Sequence, residues 1–449
     1  MKTIKRSFLF FLAACLLLSL AACGAAKKAG VAVKAGADRG IAIGEKAVYV
    51  EDGDAACEMA AADGMAAPGE GQTEAQLPRP GQITAGAQND NLFYAQWLDL
   101  FRSTQEPETG TGGNNDPDSP VTTVAGGRFE PFLANAWGLH SQYRVAVKVV
   151  CGEAPVAGAR VVAAGGDGSS FAAVTDANGQ AYLFPTAQSG TVRVASGTHT
   201  AEATYDPEHR DLTVTLDGAE EKANVIQIMF VVDVTGSMGD EIAYLQGEIT
   251  DVITRVAAAN AGARVDLAFL FYRDVDDDVP FRYADFKDVT RTENLSAQRA
   301  ILAEQKAYGG GDYEEAVDEA LALAVGKQWS QNATKLLFLV LDAPAHSGQE
   351  YETRFAKAVR SAAEQGIRVC PVLASGADTV CEYTTRSAAL LTGGTFVFIT
   401  NHSGIGGDHL DPDLPDVTVE YLNDCLVRLV NGYHSGVFAE PVAWNAQAQ

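Results

Sequence analysis

Apolar residues fill consecutive positions in the second half of the chain, alternate positions in the middle third, and large ones become scarce over 24–80. Val225-Ile226-Gln227-Ile228-Met229-Phe230-Val231-Val232 is a near-continuous apolar run, as expected of a strand buried on both faces of a parallel sheet. Similar runs predict strands at Val265–Tyr272, Lys335–Leu341, Ile367–Ala374 and Thr395–Ile399. Amphipathic stretches predict helices at Asp240–Ala259, Ala297–Lys306, Tyr313–Val325, Glu350–Glu364, Val380–Leu391 and Val417–Asn431. The last carries Tyr421, Leu422, Cys425, Leu426, Leu429 and Val430 on one stripe, which packs on a sheet. Strands alternating with helices over 222–433 mean an α/β domain with a doubly wound, mostly parallel sheet. A short tail, 434–449, follows.

Between Arg144 and Leu216 the period changes to two. Val145, Val147 and Val149 alternate with Ala146, Lys148 and Val150, and turns such as Gly165-Gly166-Asp167-Gly168 and Asp176-Ala177-Asn178-Gly179 separate further short strands. This predicts a small all-β sandwich within 121–220. Asp176 and Asn178 are read as turn residues rather than calcium ligands. The run Ala157–Val161 with Thr175–Ala181 resembles carboxypeptidase-regulatory-like modules, which implies a spacer.

Before the sandwich the pattern fades. Residues 23–80 are rich in Ala, Gly, Glu, Asp and Pro, and 104–120 in Gly, Asn, Asp and Pro, so neither segment offsets the entropy of ordering. They read as a tether and a linker. Between them, in 81–103, Ile83–Gly86 and Asn89-Asp90 suggest a turn, and Trp97–Phe101 a short amphipathic helix. At the start, Lys2, Lys5 and Arg6 precede an uncharged stretch, Ser7–Ala22, shorter than the roughly 20 residues of a membrane-spanning helix. Residues 1–22 therefore read as a signal peptide. It ends Leu20-Ala21-Ala22-Cys23-Gly24, which resembles the lipobox of bacterial lipoproteins. That resemblance implies lipidation at Cys23 and display on the outer face of a bacterial cell membrane.

The net charge of −25 excludes nucleic acid as a general electrostatic partner, because phosphate binding needs a basic face. Seven cysteines are too few for a disulfide scaffold, although Cys370 and Cys381 are a candidate pair.

Ligands of doubly wound sheets bind at the carboxyl ends of the strands. Asp233, Thr235 and Ser237 stand there at alternate positions, Asp342 ends another apolar strand, and Gly309-Gly310-Gly311-Asp312 adds a carboxylate before a helix. One carboxylate and two hydroxyls from one loop suit a hard divalent cation, which takes oxygen ligands. These residues resemble the metal-ion-dependent adhesion site of von Willebrand factor type A (VWA) domains. With Tyr272-Arg273-Asp274, Trp329 and Asp342–His346, they look closest to the subgroup also attached to α-kinases. The resemblance implies a Rossmann-like fold and a metal centre at Asp233, Thr235, Ser237, Asp312 and Asp342. It implies Mg²⁺ there, with Mn²⁺ or Ca²⁺ as substitutes, open to a carboxylate of a protein partner. The family often has a metal-binding Thr where this chain has Gly311, which gives Asp312 that role directly or through water.

Other constellations carry less. Asp274, Asp276, Asp277 and Asp278 are read as a solvated loop, since Val279 and Asp285 stand where an EF-hand needs Gly and Glu. His346 is assigned a structural role. The sequence has no G-x-S-x-G elbow, H-E-x-x-H pair or P-loop. A binding or adhesion protein is thus the expectation, with a structural envelope protein and a metal-dependent hydrolase as alternatives.

Overall fold

The computed structural model describes residues 48–51, 78–102, 127–134, 137–412, 414 and 417–448. The leader, Cys23, linker 104–120 and nearly all of the tether lie outside the described residues. Strands β1 (Val48–Glu51) and β2 (Thr84–Gln88) come first, followed by helix α1 (Tyr94–Asp99). The alternating region then folds into two four-stranded sheets among the described residues. One joins β3 (Val145–Cys151), β4 (Ala154–Pro155), β7 (Gln180–Leu183) and β10 (Asp211–Leu216). The other joins β5 (Arg160–Gly165), β6 (Ser170–Val174), β8 (Gly190–Ser196) and β9 (His199–Tyr205). Val147, Leu183 and Val214 from the first sheet share a core with Val161, Phe171 and Val192 from the second. Asp176 makes a turn: its Oδ1 accepts the N–H groups of Asn178 and Gln180, both at 2.8 Å.

The apolar runs build the larger sheet. Its remaining elements are β11 (Val225–Asp233), α2 (Ile242–Ala259), β12 (Arg264–Tyr272), β13 (Phe281–Asp288), α3 (Thr292–Ala303), α4 (Val317–Val325), β14 (Thr334–Leu341), α5 (Gln349–Gln365), β15 (Ile367–Leu373), α6 (Thr379–Thr392), β16 (Phe396–Ile399), β17 (Glu420–Tyr421) and α7 (Leu422–Ser435). The strand order is β1-β13-β12-β11-β14-β15-β16-β2-β17. From β12 to β16 neighbouring strands are parallel, whereas β13 runs antiparallel to β12, and β2 antiparallel to both β16 and β17. The sheet is therefore mostly parallel, as the sequence implies, with antiparallel pairings towards its flanks.

Each central strand feeds two cores because its side chains alternate between faces. Ile226, Ile228, Phe230 and Val232 of β11 pack with Leu245, Ile249 and Val252 of α2 and Leu426 and Val430 of α7. Met229 and Val231 point the other way, into the core of Leu321 on α4, Val359 on α5 and Leu390 on α6. That second core is continuous with the sandwich, which does not stand off as a spacer. Val174 of β6 lies against Gly366 at the end of α5, where an added Cβ would come within 2.8 Å of it.

The largest departure from the sequence reading is Thr84–Gln88. It is a sheet strand, not a turn, and it reaches the large sheet from outside 222–433. Gly86 makes the fit possible: a Cβ there would sit 2.4 Å from the Phe398 ring. The Glu248 carboxylate accepts the N–H groups of Gly81, Gln82 and Ile83 at 2.8–3.1 Å. Asp90 pairs with Arg386 at 2.8 Å, both side chains fully buried, and Arg386 also binds Glu382, which Arg128 approaches from the other side. Cys370 and Cys381 are both free, so the candidate disulfide does not form.

Candidate metal centre

In the large sheet, β11 lies between β12 and β14, and the connections leave it in opposite directions. The crevice at this switch point is the place where such sheets bind ligands. Asp233 is the last residue of β11, and Asp342 directly follows β14. Thr235 folds back on Asp233: its N–H and Oγ1 both donate to Asp233 Oδ1, at 2.8 and 2.7 Å. Ser237 Oγ lies 3.1 Å from Thr235 Oγ1. Asp233, Thr235 and Asp342 are buried, whereas Ser237 opens to solvent.

The electrostatics of this pocket are unfavourable as it stands. Asp233 Oδ2 and Asp342 Oδ1 are buried and have no hydrogen-bond partner. Burial, and after it the charge of Asp342, raises the Asp233 carboxyl above the usual range, against the hydrogen bonds from Thr235 that lower it. Burial also raises Asp342, opposed by the Ser237 hydroxyl and reinforced by Glu241.

A third carboxylate joins them, and the sequence reading missed it. Glu315 is 3 % exposed, its Oε2 lacks a partner, and burial together with Asp233, Asp274 and Asp342 pushes it up to about 9. Its placement depends on the glycine loop. Gly309 and Gly310 have φ of +81° and +76°, and Gly309 O accepts the N–H of Gly236 at 3.1 Å, pinning the loop to the Asp233 turn. A Cβ on Gly310 would meet Glu315 Oε1 at 2.8 Å. The only trace of Glu315 in the sequence is a glutamate three residues beyond Asp312, which carries no spacing signal of its own.

Asp312 itself is exposed at the rim, grouped with Asp274 and His346. Asp274 is buried and accepts from Val275 N–H at 2.6 Å, with His346 Nε2 at 2.8 Å. This corrects the reading of the acidic run as solvated: Asp274 faces inward, and Asp277 Oδ2 accepts the N–H groups of Asp274 and Gly310 at 3.2 and 3.0 Å.

The donor set fits a divalent cation. It offers two buried carboxylate oxygens without a hydrogen-bond partner, Asp233 Oδ2 and Asp342 Oδ1, and two neutral hydroxyls, all hard oxygen ligands. Residues 227–392 match the family model described as von Willebrand factor A domain. The chain is also similar to an α-protein kinase, vwkA, of Dictyostelium discoideum, at 27 % identity over 128 residues. That match covers 28 % of this chain, and the chain spans only 20 % of the kinase's length. The α/β part thus has the VWA fold, and VWA domains commonly mediate protein–protein interaction and adhesion and are generally non-enzymatic.

Proposed function

We propose that this protein is a lipid-anchored cell-surface binding protein whose VWA domain uses a divalent cation, Mg²⁺ by preference, to hold an acidic group of a protein partner. The observation that carries this reading is the pair of orphaned buried oxygens, Asp233 Oδ2 and Asp342 Oδ1, at the switch point of the sheet. Asp233, Thr235, Ser237 and Asp342 would hold the ion. Asp233 already spends Oδ1 on Thr235, which fixes the carboxylate and leaves Oδ2 without a partner. The two carboxylates balance the charge of a divalent ion, and the neutral hydroxyls of Thr235 and Ser237 add no further negative charge that would repel an acidic ligand. Ser237 stands at the solvent side, so the open position faces outward. When bound, the cation supplies a Lewis-acidic point that attracts an incoming Glu or Asp. Tyr308 and Tyr313, 57 % and 42 % exposed on either side of the glycine loop, provide apolar rim surface for a partner. Attachment rests on the segment ending in Cys23, whose lipid would place the domain at the end of a long tether.

Capture of surface proteins by the full chain, with Mg²⁺ and with EDTA, tests this reading. Wild type should retain a partner only with metal, and Asp233→Ala should retain none. Metal-independent capture would favour a structural envelope role, in which the cation only stabilises the fold.

A further inference from the structure

We infer that the crevice contains a second cation site, formed by Asp274, Asp312 and His346 beside the Asp233 site, and that it selects a transition ion such as Zn²⁺ or Mn²⁺ over Mg²⁺. One ligand atom from each of the three side chains lies within 4.8 Å of the other two. Ligands bound at about 2.0–2.2 Å to one ion stand at most about 4.4 Å apart, so small side-chain movements close the site. The three residues come from separate parts of the fold, after β12, in the glycine loop and after β14. Convergence of this kind reflects tertiary structure, not a run of acidic residues.

A separate observation points to a cation at this place. Glu315 is almost completely buried, its Oε2 has no partner, and Asp233, Asp274 and Asp342 are the leading charges acting on it. Its backbone bridges to Ala345, next to His346, and the charges acting on it come from Asp233 and Asp342 of one cluster and Asp274 of the other. Arg273 is the adjacent cation, but its guanidinium donates to the carbonyls of Tyr308 and Val279 and stacks on the Tyr308 ring at 3.8 Å. It makes no hydrogen bond to Glu315 or Asp274. Metal ions at the two sites would compensate this surplus of negative charge.

Ligand chemistry sets the preference. Mg²⁺ and Ca²⁺ take oxygen, and the Asp233 set offers only oxygen. His346 brings a nitrogen, and one imidazole with two carboxylates suits Zn²⁺, Mn²⁺ and their neighbours. Three protein ligands, one of them exposed, leave coordination positions for water or for a group of the partner. The inference does not depend on the partner-binding role of the first site.

Calorimetric titration of the metal-free full chain with Zn²⁺, repeated with Mn²⁺ because thiols bind it poorly, tests the inference. Wild type, His346→Gln and Asp233→Ala are compared. Gln keeps a donor for Asp274 but is a poor ligand, and each variant retains the other histidines and cysteines, so the difference reads this site alone. Wild type should bind Zn²⁺, and His346→Gln should bind it at least roughly tenfold more weakly while keeping the Mg²⁺-induced rise in melting temperature. Asp233→Ala should lose the Mg²⁺ effect and keep the Zn²⁺ binding that depends on His346. Identical Zn²⁺ and Mn²⁺ isotherms for wild type and His346→Gln, or no binding by wild type, would overturn the second site whatever Mg²⁺ does. Loss of the Mg²⁺ effect alone would count against the Asp233 site and leave this one standing.

Discussion

Three carboxylates at one switch point, Asp233, Asp342 and Glu315, all have raised pKa values in the metal-free protein, and burial leads in each case. The consequence for stability has a definite sign. A carboxyl with a higher pKa in the folded state binds more protons when folded, so the metal-free protein is favoured at low pH and loses stability as pH rises. For Glu315 the window runs from the ordinary 4.5 to about 9. The melting temperature of EDTA-treated protein should fall across that range, more steeply than that of the Mg²⁺-loaded protein, in which the cation replaces the protons. Parallel pH profiles with and without Mg²⁺ would show that these groups are not the ones the ion compensates. Of these residues, Asp233 and Asp342 were legible in the sequence because each ends an apolar strand run. Glu315 and Asp274 were not, because their positions are set by the glycine loop and by His346, contacts between segments far apart in the chain.

Among the elements, β11, β12, β14 and β15 were legible because both faces are buried and nearly every position is apolar. Four strands of the large sheet escaped: β1, four residues within the segment read as a tether, β17, two residues at the start of a predicted helix, and β13 and β2 for opposite reasons. β13 carries Arg282, Asp285 and Lys287 near the edge of the sheet, and β2 is Thr-Ala-Gly-Ala-Gln, too small in its side chains to register as a strand. Yet β2 fills a place between β16 and β17, and Asp90 just beyond it neutralises Arg386 in the core. A protein starting at residue 222 therefore lacks β1 and β2 and leaves Arg386 with one partner fewer. Asp90→Ala should destabilise the protein by about 3–5 kcal/mol, the usual cost of removing one partner of a buried ion pair. Denaturant unfolding measures this. A change under about 1 kcal/mol would mean that Glu382 alone satisfies Arg386 and that the β2 segment is not anchored there.

At the scale of the whole molecule, the sandwich and the VWA domain share a core, so the site belongs to one compact unit with the sandwich packed against it. On the reading proposed above, a lipid on Cys23 decides where that unit is displayed. If Cys23 carries the lipid, Cys23→Ser should move the protein from the membrane fraction to the medium, as fractionation and immunoblotting would show. Retention at the membrane would refute the anchor without touching the metal site. The metal site is the centre of the account, and thermal unfolding of wild type and Asp233→Ala with and without Mg²⁺ tests it most directly. A ligand that binds only the folded state stabilises it by about 2.7 kcal/mol when free ligand is 100-fold above its dissociation constant. Wild type should melt higher in millimolar Mg²⁺, whereas Asp233→Ala should fold without metal and show no Mg²⁺ response. A wild-type melting temperature unmoved by Mg²⁺, Mn²⁺ and Ca²⁺, or an equal shift in Asp233→Ala, would contradict the account.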